Sequence, residues 1–229
     1  MMLTVEQGLT IGYKRWPIAT VTNELRFEPG QVTLLLGLNG QGKTTFMKTL
    51  AGLLPPIAGK LSQARVFYLS DDVDFPANLT PRQIVSCFAR NGKFLASGEE
   101  MLNRLEVQDK KYGVLSKGNR QKARLVFAEV ITRVRQVEFL GLDEPFAGLD
   151  FQAREVLIDR WLEHRDQNRH LLISMHDSET GFEPSQIILV SQGKICAIPP
   201  STPWREIRAL LQKSAEPAAA QELQLASPA

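Results

Sequence analysis

Short apolar runs alternate with helical patterns along most of this 229-residue chain. Residues 32–36, 137–142, 171–175 and 187–190 are almost continuously apolar, which predicts strands buried on both faces. Between the second and third runs, residues 151–164 have the spacing of a helix. Because strands alternating with helices require crossover connections, the pattern predicts an α/β fold with a mostly parallel sheet.

Two other parts of the chain do not show this alternation of strands and helices. Residues 3–13 and 18–27 alternate loosely between apolar and polar positions, which predicts an N-terminal antiparallel β subdomain. Residues 72–135 predict an inserted helical subdomain, with one helix opening at Thr80, a second over about 99–107 and a third near Ser116. We expect residues 1–213 to form a single domain that ends in a short helix. The tail, 214–229, is rich in Ala, Gln and Pro and is expected to be flexible.

Composition narrows the class of protein. With 43% hydrophobic and 23% charged residues, the chain has the balance of a soluble globular protein rather than a disordered or collagen-like one. A net charge of +2 gives no electrostatic argument for a nucleic-acid partner, and none is expected. No apolar run approaches the ~20 residues that span a bilayer. Two cysteines and no signal-peptide pattern predict a reduced, cytoplasmic setting.

A glycine-rich segment follows the first buried strand and precedes a helix. It reads Gly37-Leu38-Asn39-Gly40-Gln41-Gly42-Lys43-Thr44-Thr45, which satisfies the Walker A pattern in its required context. Glycines let backbone N–H groups face a phosphate, and the helix N-terminus adds positive potential. Lys43 is predicted to contact the β- and γ-phosphates of ATP, and Thr44 to supply a hydroxyl to Mg²⁺. The motif therefore predicts a P-loop NTPase (RecA-like) core.

Two carboxylates end the second buried strand, at Asp143 and Glu144. Taken alone, they are compatible with two surface acids that open a loop before Pro145. Beside a phosphate loop they acquire another interpretation, because ligands of such sheets bind at the carboxyl ends of the strands. Asp143 is then predicted to belong to the Mg²⁺ shell and Glu144 to act as general base toward the attacking water.

Further motifs in the expected order resemble the ATP-binding-cassette (ABC) ATPase family over roughly residues 3–198. Leu115-Ser116-Lys117-Gly118-Asn119 resembles its signature sequence, Gly148-Leu149-Asp150 its D-loop, and His176 its switch histidine. Tyr13 stands where the family stacks an aromatic ring on adenine. Trp16 is an alternative for that role, and either aromatic is compatible with ordinary strand packing.

The resemblance implies a head-to-tail pair of cassettes that encloses two ATP molecules. Ser116 and Gly118 would then contact the γ-phosphate held by Lys43 of a second copy or of a related chain. His176 would bridge the γ-phosphate and the attacking water. The family further implies a transmembrane permease partner, with this chain as its ATP-hydrolysing motor on the inner face of the cell membrane.

The chain departs from the family pattern at several positions. Lys117 and Asn119 replace a glycine and a glutamine of the signature, and the lysine resembles ABC-2-type exporters, which favours export. We expect the Lys117 side chain to face solvent. Asp71 replaces the Q-loop glutamine and either joins the metal shell or caps a turn. Gly141, inside a buried strand, either weakens packing or permits a close backbone approach.

Two other functions are compatible with the sequence. One is a soluble ABC ATPase acting in translation or DNA repair, which usually carries two cassettes or a long coiled-coil insertion. The chain has no internal repeat, and residues 65–115 hold only about two helices by pattern, so this alternative is disfavoured. The other is a nucleotide-binding module with little turnover, suggested by Asp71 and Lys117.

Overall fold

The computed structural model describes residues 2–62, 64–70, 72–89, 91–165, 169–175 and 183–213. The predictions for Asp71, His176 and the tail 214–229 lie outside these residues. The strands are β1 Leu3–Val5, β2 Thr10–Tyr13, β3 Trp16–Val21, β4 Leu25–Phe27, β5 Val32–Leu36, β6 Val66–Leu69, β7 Phe139–Asp143, β8 His170–Met175, β9 Gln186–Ser191 and β10 Lys194–Ile198. The helices are α1 Lys43–Leu50, α2 Pro81–Phe88, α3 Gly92–Arg104, α4 Lys117–Val134, α5 Phe151–Arg165 and α6 Trp204–Lys213, with a short 3-10 helix at Tyr112–Val114.

Within the described residues, eight strands form one sheet in the order β2-β3-β10-β9-β5-β8-β7-β6. The five strands from β9 to β6 in that order are mutually parallel. Of the remaining three strands, β2 pairs with β3 in antiparallel orientation, and β10 pairs parallel with β3 and antiparallel with β9. β1 and β4 form a separate antiparallel pair. The predicted α/β fold, with its mostly parallel sheet and antiparallel N-terminal strands, is confirmed.

The four apolar runs belong to the centre of this sheet because both of their faces are covered. In β5, Leu34 and Leu36 pack into a core with residues of α4 and α5. Leu35, between them, points the other way into a second core with α1 and the N-terminal strands. Since successive side chains of a strand alternate between faces, burial on both faces needs a continuous apolar run. This packing fixes the carboxyl ends of β5, β7 and β8 side by side.

The first two helices of the helical insert begin at side chains that cap them. At α2, Thr80 Oγ1 accepts the N–H of Gln83 at 3.4 Å, and Gln83 Oε1 accepts the N–H of Thr80 at 2.9 Å. This reciprocal cap satisfies two donors at the helix start. α3 begins earlier than the predicted position near 99, because Asn91 Oδ1 accepts the N–H of Phe94 at 3.0 Å and caps the helix there. The insert then packs around a small apolar core that contains Ile84.

None of the helices in the described ranges combines the length and the apolar character needed to cross a membrane.

Candidate functional site

The phosphate loop lies between β5 and α1, and its glycines are required by close packing and by backbone angles. A Cβ at Gly37 would stand 2.6 Å from the carbonyl oxygen of Val190. Gly42 has a φ of 108°, and a Cβ there would stand 2.7 Å from Ile18 Cγ2. Since L side chains rarely adopt such a φ, the loop can pass under the β2–β3 hairpin only with glycine at this position.

Lys43 is buried at the first position of α1, with 5% of its surface exposed. Its Nζ donates to the carbonyl oxygens of Gly37 at 2.7 Å and Leu38 at 3.3 Å. Burial lowers the pKa of Lys43, and the negative charges of Glu144 and Asp143 oppose that shift. The loop therefore holds an amino group against its own carbonyls and within the electrostatic influence of the two carboxylates at the end of β7.

Asp143 receives hydroxyl hydrogen bonds from three elements among the described residues. Thr44 Oγ1 donates to its Oδ2 at 2.7 Å, and the hydroxyl of Tyr68 donates to the same oxygen at 2.8 Å. Ser174 Oγ donates to the other carboxylate oxygen. The aspartate is only 7% exposed, so these donors fix its orientation. The structure thus places Thr44 and Asp143, the two residues predicted to hold Mg²⁺, in direct contact.

Tyr68 is a residue of the site that the sequence reasoning missed. Burial, and then the charge and hydrogen bond of Asp143, raise the pKa of the Tyr68 phenol, so it remains a donor at neutral pH. The available signal was Gly141, which pairs with Tyr68 across β6 and β7. A Cβ at Gly141 would stand 3.6 Å from Tyr68 Cδ2 and 3.2 Å from Met47 Cε. The close approach at Gly141 is therefore made by the side chains of Met47 and Tyr68 rather than by another backbone.

We expect Tyr68→Phe to lower the free energy of unfolding by about 1 to 3 kcal/mol, because a buried carboxylate loses one of its donors. Urea denaturation measures the change. Tyr13→Phe is the matched control, because its hydroxyl belongs to a half-exposed side chain, and it should change stability by less than about 0.5 kcal/mol. An unchanged unfolding free energy in Tyr68→Phe would contradict the hydrogen bond to Asp143.

Glu144 follows β7 in a backbone conformation that is unusual for a residue other than glycine, with a φ of 46°. Its N–H donates to Ser174 Oγ at 2.9 Å, and its carbonyl accepts the N–H of Ala147 at 3.0 Å. Non-glycine residues in this region cost about 1 to 3 kcal/mol and persist where the surroundings hold them. These two hydrogen bonds therefore hold the backbone of Glu144 in this conformation.

The signature segment opens α4 and is held by its own side chains. Ser116 caps the helix, and its Oγ accepts from the backbone N–H of Asn119 at 3.2 Å and from Asn119 Nδ2 at 3.1 Å. Asn119 Oδ1 accepts the N–H of Gln108 at 2.9 Å. Asn119 thus links the start of α4 to the segment between α3 and α4. Lys117 is exposed, as expected.

The D-loop packs against the start of α4 in the same chain. A Cβ at Gly118 would stand 2.9 Å from the carbonyl oxygen of Gly148, so glycine at position 118 allows this close contact. Lys122 Nζ lies 2.9 Å from Asp150 Oδ2, and this hydrogen bond lowers the pKa of Asp150. Lys122 of α4 is therefore directed into this contact rather than into solvent.

The remaining predicted binding residues are distributed over the loop and the hairpin above it. Asn39 and Gly40 are exposed at the crest of the loop, and Thr45 is buried behind it. Gln41 Oε1 accepts the N–H of Gln192 at 3.1 Å, which ties the loop to the turn between β9 and β10. Tyr13 and Trp16 pair across the β2–β3 hairpin, 48% and 78% exposed respectively, so both stay candidates for stacking on adenine.

Comparison with known proteins agrees with this geometry. The family model described as ABC transporter matches residues 22–147. A manganese transport system ATP-binding protein from Synechocystis is 28% identical over 74% of this chain and 74% of its own length. A cytochrome c biogenesis ATP-binding export protein from Ruegeria pomeroyi is 33% identical, over 65% of this chain and 72% of its own length. A solved ATP-binding subunit of an ABC transporter superposes with a TM-score of 0.74 at 21% identity, covering 99% of this chain and all of that one.

Proposed function

Because the chain belongs to the ABC transporter family and is one of its ATP-binding, ATP-hydrolysing subunits, we propose that residues 37–45 hold the phosphates of ATP. The convergence of Lys43, Asp143 and Glu144 at the carboxyl ends of β5 and β7 carries this proposal. Loop N–H groups and the amino group of Lys43 would bind the β- and γ-phosphates. Residues 1–213 would act as one ATPase domain, with 72–135 as its helical part.

The oxygen donors beside the loop fit Mg²⁺. Thr44 Oγ1 and the carboxylate of Asp143 are hard ligands 2.7 Å apart, of the kind this cation prefers. They would hold the ion directly or through water, and Asp71 would join them in the outer shell. When bound, Mg²⁺ supplies charge neutralisation at the phosphates. Tyr68 and Ser174 would keep Asp143 oriented toward that position.

Glu144 would act as the general base. A carboxylate that directly follows Asp143 lies next to the metal-binding residue and can accept a proton from water aligned with the γ-phosphate. His176 would orient the same water. Lys43 would stabilise the charge that develops on the phosphate oxygens. Burial lowers the pKa of its amine, and the charges of Glu144 and Asp143 favour the cationic form.

Members of the family dimerise and work with transmembrane permease subunits, and we propose the arrangement of the cassettes for this chain. Ser116 and Gly118 would complete the ATP site of a second copy, and Tyr13 would stack on adenine. The permease would dock near residue 71 and hold the chain at the inner face of the membrane. Export, which the signature favoured, is not supported, because one relative is named for manganese transport and another for export.

Phosphate release tests the proposal. Purified chain, alone and reconstituted with a candidate transmembrane permease subunit, is supplied with ATP and Mg²⁺. We expect turnover that requires Mg²⁺ and rises when the membrane subunit is present. Accumulation or loss of cargo in vesicles containing the complex then assigns the direction of transport. Absence of phosphate release in both preparations would favour the nucleotide-binding module with little turnover.

A further inference from the structure

A chain of hydrogen bonds runs from the segment after residue 71, through α4, to the residue after Glu144. Arg124 Nη1 donates to the carbonyl oxygen of Val73 at 3.2 Å. Arg124 Nη2 donates to Gln121 Oε1. Gln121 Nε2 in turn donates to the carbonyl oxygen of Pro145 at 3.0 Å. These contacts join three separate parts of the sequence through two side chains of one helix.

The two side chains are suited to holding a fixed geometry. The guanidinium of Arg124 is a planar fork, so its two η nitrogens present donors to Val73 and Gln121 at a defined separation. Gln121 is 4% exposed, and only one orientation of its amide offers an acceptor to arginine and a donor to a carbonyl. The arrangement of the pair is therefore determined by its hydrogen bonds.

The chain of hydrogen bonds ends beside Glu144, where the backbone is strained. That residue has a φ of 46°, and its N–H is held from one side by Ser174 Oγ at 2.9 Å. On its other side, the next residue's carbonyl is held by Gln121 at 3.0 Å. A conformation of this cost persists only where its surroundings restrain it, and these two contacts are restraints on opposite sides.

We infer that Arg124 is a positioning residue for the hydrolysis step: through Gln121 it restrains the backbone that aims Glu144, and it ties that restraint to the segment at Val73. The inference rests on the proposed role of Glu144 as general base. Arg124 contacts neither nucleotide nor water in this role. A shift of the segment at Val73 would reach the catalytic carboxylate through the two side chains of α4.

Steady-state kinetics of Arg124→Met test the inference. We expect kcat to fall by about tenfold to a hundredfold, since a misplacement of about 1 Å at a reacting group can cost about 10²-fold. The KM and the dissociation constant for ATP should stay within about threefold, because residues 37–45 are untouched. Arg124→Lys keeps one cationic donor and should recover part of kcat. Arg135→Met removes an exposed arginine at the other end of the same helix and is the matched control.

A second variant separates positioning from folding. Gln121→Glu keeps the contact with Arg124 but replaces the donor to Pro145 with an acceptor. It should lower kcat as Arg124→Met does while the thermal unfolding midpoint stays close to that of the unaltered chain. In the Glu144→Gln background, where the base is already absent, Arg124→Met should cause no further loss of turnover.

The outcomes distinguish this inference from the proposed function. If Glu144→Gln keeps its turnover, the proposed general base is wrong. If Glu144→Gln loses turnover while Arg124→Met and Gln121→Glu keep the kcat of the unaltered chain, the positioning role of Arg124 is overturned. Equal losses in kcat and in ATP affinity, or a loss from Arg124→Met that adds in full to that of Glu144→Gln, would likewise overturn it.

Discussion

Glu144→Gln is expected to reduce ATP turnover by about 10² to 10⁴-fold while ATP binding persists. Glutamine has nearly the same shape as glutamate, so the φ of 46° and the contact of the N–H with Ser174 can both remain. The amide oxygen is a far weaker proton acceptor than a carboxylate, so the attacking water loses its base. Phosphate release measures the turnover, and equilibrium binding of labelled ATP measures the affinity.

The same variant should accumulate as an ATP-dependent dimer. If hydrolysis is what reopens a two-cassette sandwich, removing the base leaves the closed form in place, and light scattering at saturating ATP and Mg²⁺ should report twice the mass of the chain. Glu155→Gln, an exposed glutamate on α5, is the matched control and should remain active. A Glu144→Gln variant that stays monomeric at saturating ATP would count against the sandwich.

Lys43→Ala is expected to weaken ATP binding by at least about a hundredfold, because hydrogen bonds to charged groups contribute about 1.5 to 3 kcal/mol each and Lys43 offers several. The variant also removes the contacts of Nζ with the carbonyls of Gly37 at 2.7 Å and Leu38 at 3.3 Å, which support the shape of the loop. Equilibrium binding of ATP in the presence of Mg²⁺ measures the change, and turnover should disappear with it.

The control for this loss is a lysine outside the phosphate loop. Lys60 is exposed, and Lys60→Ala removes the same charge from the chain without touching residues 37–45. Thermal unfolding of both variants shows whether each is folded under the assay conditions. Tight ATP binding by a folded Lys43→Ala would refute the assignment of its amino group to the phosphates.

The parts of the fold that were predictable share a physical origin. The runs that became β5, β7, β8 and β9 are almost continuously apolar, because both faces of a central strand are buried. Helix starts were predictable where the cap residue is diagnostic, as at Thr80. The start of α3 was not, because its asparagine cap, Asn91, and the glycine that follows it are equally typical of a turn, so the local signal is ambiguous. Strand β10 was missed for a related reason, since it is short and only partly buried.

The phosphate loop shows how much of the site can be predicted from the sequence. Its glycine spacing, its lysine and the strand and helix on either side are consecutive along the chain, and each is required by the geometry of the loop itself. Asp143 and Glu144 were identified by the same logic, from their place at the end of a buried strand. Motifs of this kind can be predicted because the strand or helix that positions them is adjacent in the sequence.

The fold class, the phosphate loop and the two carboxylates could be predicted from residue patterns alone, because those features depend on spacing within short segments. The surroundings of these residues became known only from the packing of the strands and helices. The hydroxyl of Tyr68 reaches Asp143 from β6, 2.8 Å away and 75 positions earlier in the chain. Arg124 and Gln121 connect Val73 to Pro145 across the helical insert. Such contacts arise from how strands and helices pack, and a pattern of residue types records only which face of an element is buried.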